Sequence, residues 1–264
     1  MILGVNEMIK FATGFCGPGG STVAISTLIN LFNDNGLDAC LYGGGNPWNG
    51  IDCKFDTINN INLQPEDIFI YHYMAIQNRM NCKKQILSCH ETVVFPIKNV
   101  SGINYDEVHF VSEAQKEFQD VGGTVIPNPI RSFTKADKTG KKVAGVIGSI
   151  DPNKRVEESI QRALNDGFTD IRIYGNLTDP NYFRARVLPL MSDNVTYRGV
   201  ASNMDKVYSE LTHVYHSPKL ESFNLLQFEC KEAGVEYVGN EGNDTKAEHW
   251  DNDKILEAWK KLLT

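Results

Sequence analysis

The chain has 264 residues, of which 41% are hydrophobic and 22% charged, a composition typical of globular proteins with one large or two compact domains. Its formal net charge of −7 argues against a broadly basic surface that would bind nucleic-acid backbones. No apolar run approaches the roughly 18 residues of a membrane span, no signal-peptide pattern opens the chain, and the six cysteines include no CxxC pair. We therefore expect a cytoplasmic protein with reduced thiols.

The first half of the sequence predicts strands that alternate with helices. Residues 9–13 (IKFAT) predict a strand, a glycine-rich turn follows, and residues 23–32 predict a helix that ends at Gly36. Ser112 is placed to cap a helix that begins SEAQKEFQ. Further strands are predicted at residues 39–42, 67–73, 85–89, 108–111 and 124–126. This order favours a parallel sheet with helices on both faces.

The second half repeats the pattern after a polar segment at residues 131–142. Strands are predicted at residues 143–147, 170–174, 195–198 and 214–217, and helices at residues 156–165, 181–190, 204–211 and 250–263. The restart predicts two similar α/β domains in tandem, residues 1–130 and 143–264, with a cleft between them. The C-terminal helix at residues 250–263 is assigned to the second domain in this prediction, with packing back on the first domain as the alternative.

One segment near the C-terminus, residues 216–238 (HSPKLESFNLLQFECKEAGVEYV), contains two well-placed glutamates. A loop is predicted to end near Glu221, and a helix then runs to Gly234 before a strand at residues 235–238. Glu229 would lie about one turn inside this helix and accept hydrogen bonds from a ribose diol, and Glu221 could do the same for a sugar. A phosphate would be stabilised by the free N–H groups of three residues at the helix N-terminus, Phe223, Asn224 and Leu225. Solvated helix charges are the alternative interpretation of the two acids.

Two further features follow predicted strands, where open α/β sheets carry their sites. The turn at residues 17–20 (GPGG) would let a ligand approach the backbone, although a tight turn that needs positive φ predicts the same residues. This turn is neither the GxGxxG dinucleotide motif nor a P-loop. His90 follows the strand at residues 85–89, and a buried structural histidine is the alternative there.

The order of these signals resembles that of retaining glycosyltransferases of the GT-B fold, specifically glycosyltransferase family 4. The matching motifs are the glycine-rich first turn, the strand ending in His90-Glu91, VSEAQKEF, VIPNPI, GSIDPNKR, IYG, NVTYRG and VYHSPKLESF with the paired glutamates. The resemblance implies two Rossmann-like domains with parallel sheets facing a central cleft. It also implies a nucleotide-diphosphate-sugar donor, most often a UDP-sugar, held mainly by the second domain.

The resemblance further implies roles for individual residues. Lys154, Glu221 and His90 match catalytic positions: the lysine on the diphosphate, the acid that contacts the transferred sugar, and the histidine beside that sugar. Glu229 matches the glutamate that holds the ribose. The other donor-binding positions are Gly19, Gly20, Ser149, Arg155, Phe223, Asn224 and Leu225. Without these neighbours, Lys154 and Arg155 would be interpreted as an exposed first turn of a helix.

The implied reaction moves a sugar to an acceptor hydroxyl with retention at the anomeric carbon. It needs no metal or other cofactor, because no DxD-like pair of acids stands at a predicted strand end. Ser149 stands where an arginine is usual in the family, so one cation for the diphosphate is either missing or supplied by Arg155. A non-hydrolysing sugar-nucleotide epimerase and a non-catalytic nucleotide-sugar-binding module remain alternatives. The acceptor stays open among a glycan, a lipid-linked sugar, a small molecule and a hydroxylated viral DNA base.

Overall fold

The computed structural model describes residues 7–45, 47–72, 74–91, 102–135, 140, 142–240 and 247–264. These residues form two compact units, each built on its own sheet. The first unit contains the described residues up to Ile130, except Pro18–Gly20, together with the C-terminal helix. The second unit contains Pro18–Gly20 and the described residues 131–240.

Both sheets are parallel throughout their described strands. The first has the order β3-β2-β1-β4-β5-β6-β7 and the second the order β10-β9-β8-β11-β12. The strands of the first are β1 Ile9–Thr13, β2 Ala39–Gly43, β3 Phe55–Thr57, β4 Ile68–His72, β5 Lys84–Cys89, β6 Glu107–Phe110 and β7 Thr124–Val125. Those of the second are β8 Ala144–Ile147, β9 Ile171–Tyr174, β10 Val195–Tyr197, β11 His213–Tyr215 and β12 Glu236–Val238.

Helices connect these strands. They are α1 Gly20–Asp34, α2 Glu113–Gln119, α3 Val156–Asn165, α4 Pro180–Tyr182, α5 Met204–Glu210, α6 Leu225–Ala233 and α7 Asn252–Leu263. A 3₁₀ turn at Ile58–Asn60 follows β3. No helix among the described residues is long and apolar enough to cross a membrane.

The central strands are apolar because parallel sheets are covered on both faces. Every residue of β1, β2 and β4 is buried. Lys10 is the charged exception in β1, and its Nζ lies 2.5 Å from Oδ2 of the buried Asp67. The ion pair lets the strand keep a lysine where an uncompensated charge would be costly.

The C-terminal helix completes the core of the first unit. Its apolar side is buried at Ile255, Leu256, Trp259, Leu262 and Leu263, which recur at helical spacing. The Trp259 ring meets the Phe32 ring of α1 edge to face, with 5.7 Å between ring centroids. The helix therefore belongs to the first unit, although it follows the second in sequence.

Most predicted elements are confirmed, with shifts of one to three residues at their ends. Tyr73, at the end of one predicted strand, lies outside the described residues. The prediction missed β3, which has only three residues, one of them Asp56. Residues 181–190 are helical as predicted but do not form a regular α-helix, because a π-helical turn at Phe183–Val187 and a 3₁₀ turn at Leu188–Leu190 follow α4. Pro189 explains the break, because it lacks the N–H that a regular α-helix needs.

Candidate functional site

The strand order of the second sheet places two loops side by side. The chain proceeds from β8 to β9 and β10 on one side, and then returns to add β11 and β12 on the other. In open α/β sheets, ligands bind at such a switch point, beyond the carboxyl ends of the strands. The loops there follow β8 and β11, and they are joined by hydrogen bonds from Lys219 N to Asn153 O (2.7 Å) and from Asn153 Nδ2 to Leu220 O (3.0 Å).

The two loops bring Lys154, Glu221 and His216 together. Lys154 Nζ lies 2.5 Å from Oε1 of Glu221, and His216 Nε2 lies 2.8 Å from the same oxygen. Because a carboxylate only accepts hydrogen bonds, Nε2 of His216 must carry a proton and donate it. Two residues predicted for the site are thus in contact, and His216 is a third member that the sequence analysis missed.

The charges of this group are well defined. Burial opposes ionisation of Glu221, but Lys154 and the hydrogen bond from His216 outweigh it and lower the pKa of Glu221 to about 2. Burial lowers the pKa of His216, even though Glu221 acts in the opposite direction. At neutral pH the group therefore contains a carboxylate on Glu221 and a neutral imidazole on His216.

We expect the Glu221 carboxylate to make folding sensitive to acid. A carboxyl whose pKa is lowered in the folded state stabilises the protein above its unfolded pKa, and this stability is lost as the pH falls toward the folded pKa of about 2. Between pH 6 and pH 3 the wild type should lose about 2 kcal/mol more unfolding free energy than Glu221→Gln. Denaturant unfolding at both pH values measures the difference. Parallel losses in the two proteins would contradict the lowered pKa.

Ser149 fixes the start of the loop after β8. Its hydroxyl donates to Oδ2 of Asp151 at 2.5 Å, and Oδ1 of Asp151 accepts the backbone N–H groups of Asn153 and Lys154. In this structure Ser149 therefore shapes the turn that presents Lys154. Its predicted contact with a donor remains a prediction.

Arg155 is used as an anchor for the loop after β11. It adopts a left-handed backbone conformation with φ of 46°. Its Nε donates to Ser217 O at 2.7 Å, and its other nitrogens reach Pro218 O and the Glu158 carboxylate. Arg162 of α3 holds the same loop through Ser217 Oγ, at 3.0 Å. To take the place of the arginine that the sequence resemblance implies at Ser149, this guanidinium would have to leave these partners.

The helix that follows Glu221 begins as predicted, with one correction. Asn224 caps α6, and its side-chain oxygen accepts from Gln227 N. The predicted free N–H of Leu225 is not free, because it donates to Phe223 O at 2.9 Å in a tight turn before the helix. The contribution of Phe223, Asn224 and Leu225 to phosphate binding remains a prediction.

Glu229 lies inside α6 and is held by two side chains. Tyr208 OH donates to Oε2 at 2.8 Å, and an Arg131 nitrogen lies 3.3 Å from Oε1. Burial raises the pKa of Glu229 although Arg131 and Tyr208 lower it. Arg131 Nε is buried and has no hydrogen-bond partner among the described residues. The interpretation of Glu229 as a solvated helix charge is therefore wrong, and Arg131 and Tyr208 are partners that sequence reasoning missed.

The turn at residues 17–20 leads from β1 into α1. Gly19 directly precedes the helix and Gly20 is its first residue. None of the three glycines in the turn has positive φ, so the alternative of a turn that needs such a conformation is wrong. Gly19 and Gly20 are grouped with the second unit. Their contact with a ligand remains a prediction.

His90 follows β5 directly, as predicted, and is 6% exposed. Its Nε2 lies 3.1 Å from Ser88 Oγ, and its ring is close to those of His72 and His109. Burial, and then the two neighbouring histidines, lower the pKa of His90 well below its usual range. No cluster of three or more His, Cys, Asp or Glu side chains suited to a metal ion occurs among the described residues.

The two units define the class of fold: the chain has the GT-B fold, with two Rossmann-like α/β units. It is similar to AviGT4, a glycosyltransferase involved in avilamycin A biosynthesis, with a TM-score of 0.66 and 15% identity over 96% of this chain and 88% of that one. It is also similar to HepE from Anabaena in complex with UDP and glucose, with a TM-score of 0.65 and 13% identity over 92% and 83% of the two chains.

A third similar structure is an α-glucosyltransferase in complex with UDP and a 13-mer DNA containing an HMU base. Its TM-score is 0.63, with 10% identity over 97% of this chain and 89% of that one. No protein-family model matches the chain, and no curated protein matches it in sequence. At these identities the likeness establishes the fold alone.

Proposed function

We propose that this chain is a retaining glycosyltransferase, related to family 4, that uses a nucleotide-diphosphate-sugar donor and no metal. The observation that supports this most is the Lys154–Glu221–His216 group at the switch point of the second sheet. This group places a cation and a carboxylate beside the start of α6. A diphosphate needs the cation and hydrogen-bond donors, whereas the hydroxyls of a sugar can donate to the carboxylate. UDP is the proposed nucleotide, and two of the similar structures contain UDP.

In the proposed reaction, the bond from the anomeric carbon to the diphosphate breaks and its electron pair leaves with the diphosphate oxygen. The acceptor hydroxyl oxygen forms the new bond on the same face of the sugar, and its proton leaves on the diphosphate. Lys154 would stabilise the charge that grows on the leaving group, as preorganised cations do in transition states. Glu221 would accept hydrogen bonds from hydroxyls of the transferred sugar, and Glu229 from the ribose.

The acceptor remains open among a glycan, a lipid-linked sugar, a small molecule and a hydroxylated DNA base. One experiment tests the reaction class even though the acceptor is not identified. The protein is incubated with nucleotide sugars, with water as a slow acceptor, and the products are analysed by NMR. Release of nucleoside diphosphate together with sugar of unchanged anomeric configuration supports the proposal. Appearance of an epimeric nucleotide sugar indicates an epimerase, and binding without any turnover indicates a binding module.

We expect Glu229→Gln to weaken binding of the preferred nucleoside diphosphate by at least about tenfold, because a neutral amide replaces the acceptor for the ribose hydroxyls. The amide oxygen can still accept from Tyr208, so this variant should disturb folding less than Glu229→Ala, which removes the acceptor of both Tyr208 and Arg131. Calorimetric titration measures the affinity and melting temperature reports the fold. Tyr208→Phe, which keeps the carboxylate, is the matched control. Unchanged affinity in Glu229→Gln would remove this residue from the site.

We expect turnover to survive an excess of EDTA, because the proposed charge stabilisation comes from Lys154 and the helix N-terminus. The assay is the same product analysis with and without chelator, after dialysis against chelator. Loss of activity that magnesium or manganese restores would show that a divalent cation is required.

A further inference from the structure

Three buried histidines surround Ser88 in the first unit. The parallel register of β5 and β6 pairs Ser88 with His109, and His90 follows two residues later, just beyond the end of β5. Ser88 is 0% exposed and His109 is 1% exposed. Strand residues two apart point to the same face, so this register brings the Ser88 hydroxyl between the rings of His109 and His90.

The hydrogen bonds define which nitrogen of each ring carries a proton. His109 Nε2 lies 2.8 Å from Ile126 O, and because a carbonyl only accepts, this nitrogen is the N–H. Burial lowers the pKa of His109 to about 4, so the ring is neutral and its Nδ1 is an acceptor. Nδ1 lies 2.8 Å from Ser88 Oγ and accepts the one hydrogen bond that the Ser88 hydroxyl can donate. The Ser88 oxygen can then only accept from His90 Nε2, at 3.1 Å.

His90 is therefore protonated on Nε2, and its Nδ1 presents a lone pair. That Nδ1 atom is buried and has no hydrogen-bond partner within the described part of the chain. Burying an acceptor without a donor costs desolvation free energy. A ligand that donates a hydrogen bond to Nδ1 of His90 would offset this cost. His72 cannot supply it through Nδ1, because that nitrogen lies 3.1 Å from Ser88 O and donates to this carbonyl.

We propose that Ser88 and His109 are positioning residues that fix His90 as the Nε2–H tautomer, so that Nδ1 accepts a hydrogen bond from a hydroxyl group of the bound sugar. The identity of the ligand rests on the proposed function, whereas the tautomer does not. A neutral imidazole nitrogen with a free lone pair can accept a hydrogen bond but cannot donate one. A sugar hydroxyl fits this position because its O–H group donates. The opposite tautomer would present an N–H and would favour a carbonyl or a phosphate oxygen instead.

The tautomers can be measured directly in the free protein. Long-range ¹H–¹⁵N spectra of protein labelled at its histidines distinguish neutral Nε2–H, neutral Nδ1–H and charged rings, with assignment by His90→Gln and His109→Gln. At pH 7 both His90 and His109 should be neutral with the proton on Nε2. A proton on Nδ1 of His90, or a charged ring, would overturn the proposal whether or not the protein transfers sugars.

Function is tested with Ser88→Ala, which removes the bridge between the two rings. Turnover should fall about tenfold while nucleoside-diphosphate affinity stays within about twofold, and Ser88→Thr, which restores the hydroxyl, should recover most of the loss. Ser26→Ala is the matched control, because it removes another buried serine hydroxyl in this unit, bonded to Asp52 at 2.8 Å. A loss in Ser88→Ala no larger than in Ser26→Ala would overturn the positioning role.

The ligand contact has its own readout. Adding the preferred nucleotide sugar should shift the His90 Nδ1 resonance, whereas the matching nucleoside diphosphate, which lacks the sugar, should leave it in place. An unmoved resonance in protein saturated with the nucleotide sugar would overturn the contact. If no nucleotide sugar binds, the proposed function fails, and the spectra of the free protein still decide whether Ser88 and His109 set the tautomer.

Discussion

Replacing Lys154 by alanine is expected to lower turnover with the preferred nucleotide sugar by about 10²-fold or more, and to weaken nucleoside-diphosphate binding as well. Both losses follow because the ammonium would interact with the diphosphate before and during bond cleavage. The change also removes the cation paired with Glu221 and leaves its largely buried carboxylate with His216 as the remaining side-chain partner among the described residues. We therefore expect a lower melting temperature in addition to the kinetic effect.

Steady-state kinetics, calorimetric titration and thermal unfolding of one preparation separate these effects. Lys83→Ala is a suitable control, because it removes a lysine that pairs with Glu7 at 2.6 Å in the first unit. Lys154→Arg keeps the charge and should retain more affinity than Lys154→Ala. If affinity and turnover of Lys154→Ala both stay within about twofold of the wild type, another cation such as Arg155 must act on the diphosphate.

Replacing His90 by alanine is expected to cut turnover by about 10²-fold while nucleoside-diphosphate affinity stays nearly unchanged. A loss of that size follows when the reacting sugar is misplaced by about 1 Å. His90 lies in the first unit, whereas Lys154, Glu221 and Glu229 lie in the second, so its loss should not affect the groups proposed to hold the nucleotide. The competing interpretation is a histidine buried only for packing.

Measuring melting temperature, affinity and turnover on the same variant distinguishes the two interpretations. Ile86→Val is the matched control, because it shortens a fully buried side chain of β5, the strand that His90 directly follows, and should cost about 0.5–1.5 kcal/mol of stability. If His90→Ala lowers stability as this control does and retains its specific activity, His90 belongs to the core. The contribution of the first unit would then have to come from another residue.

The order of elements could be predicted because it depends on local signals. The buried strands are short apolar runs, and Gly36, Ser112 and Gly234 mark helix ends through their backbone or capping preferences. The helical segment at residues 181–190 was predicted, but its change from α-helical to π-helical and 3₁₀ turns was not, because a pattern of apolar residues does not distinguish these helix types. The edge strand β3 was missed because a three-residue run with an aspartate gives almost no pattern.

The sequence was enough to propose the principal residues of the candidate site, but it could not predict their hydrogen-bond network. Glu221, Glu229 and Lys154 stand in motifs, whereas their partners come from distant parts of the chain, with Arg131 lying 98 residues before Glu229. The bridge from Ser88 to His109 depends on the register of β5 and β6, which no local pattern specifies. Charge state is likewise a property of the fold, since burial and partners give Glu221 and Glu229 pKa shifts of opposite sign.

The central claim is that the second unit binds a nucleotide sugar, and thermal unfolding in the presence of UDP-, GDP- and ADP-sugars tests it most directly. A ligand at about 100 times its Kd stabilises the folded state by about 2.7 kcal/mol, which raises the melting temperature of a chain of this size by roughly 5 °C. We predict such a rise with at least one nucleotide sugar in the wild type, and a much smaller one with Glu229→Gln. No rise with any of them, or equal rises in both proteins, would contradict the account.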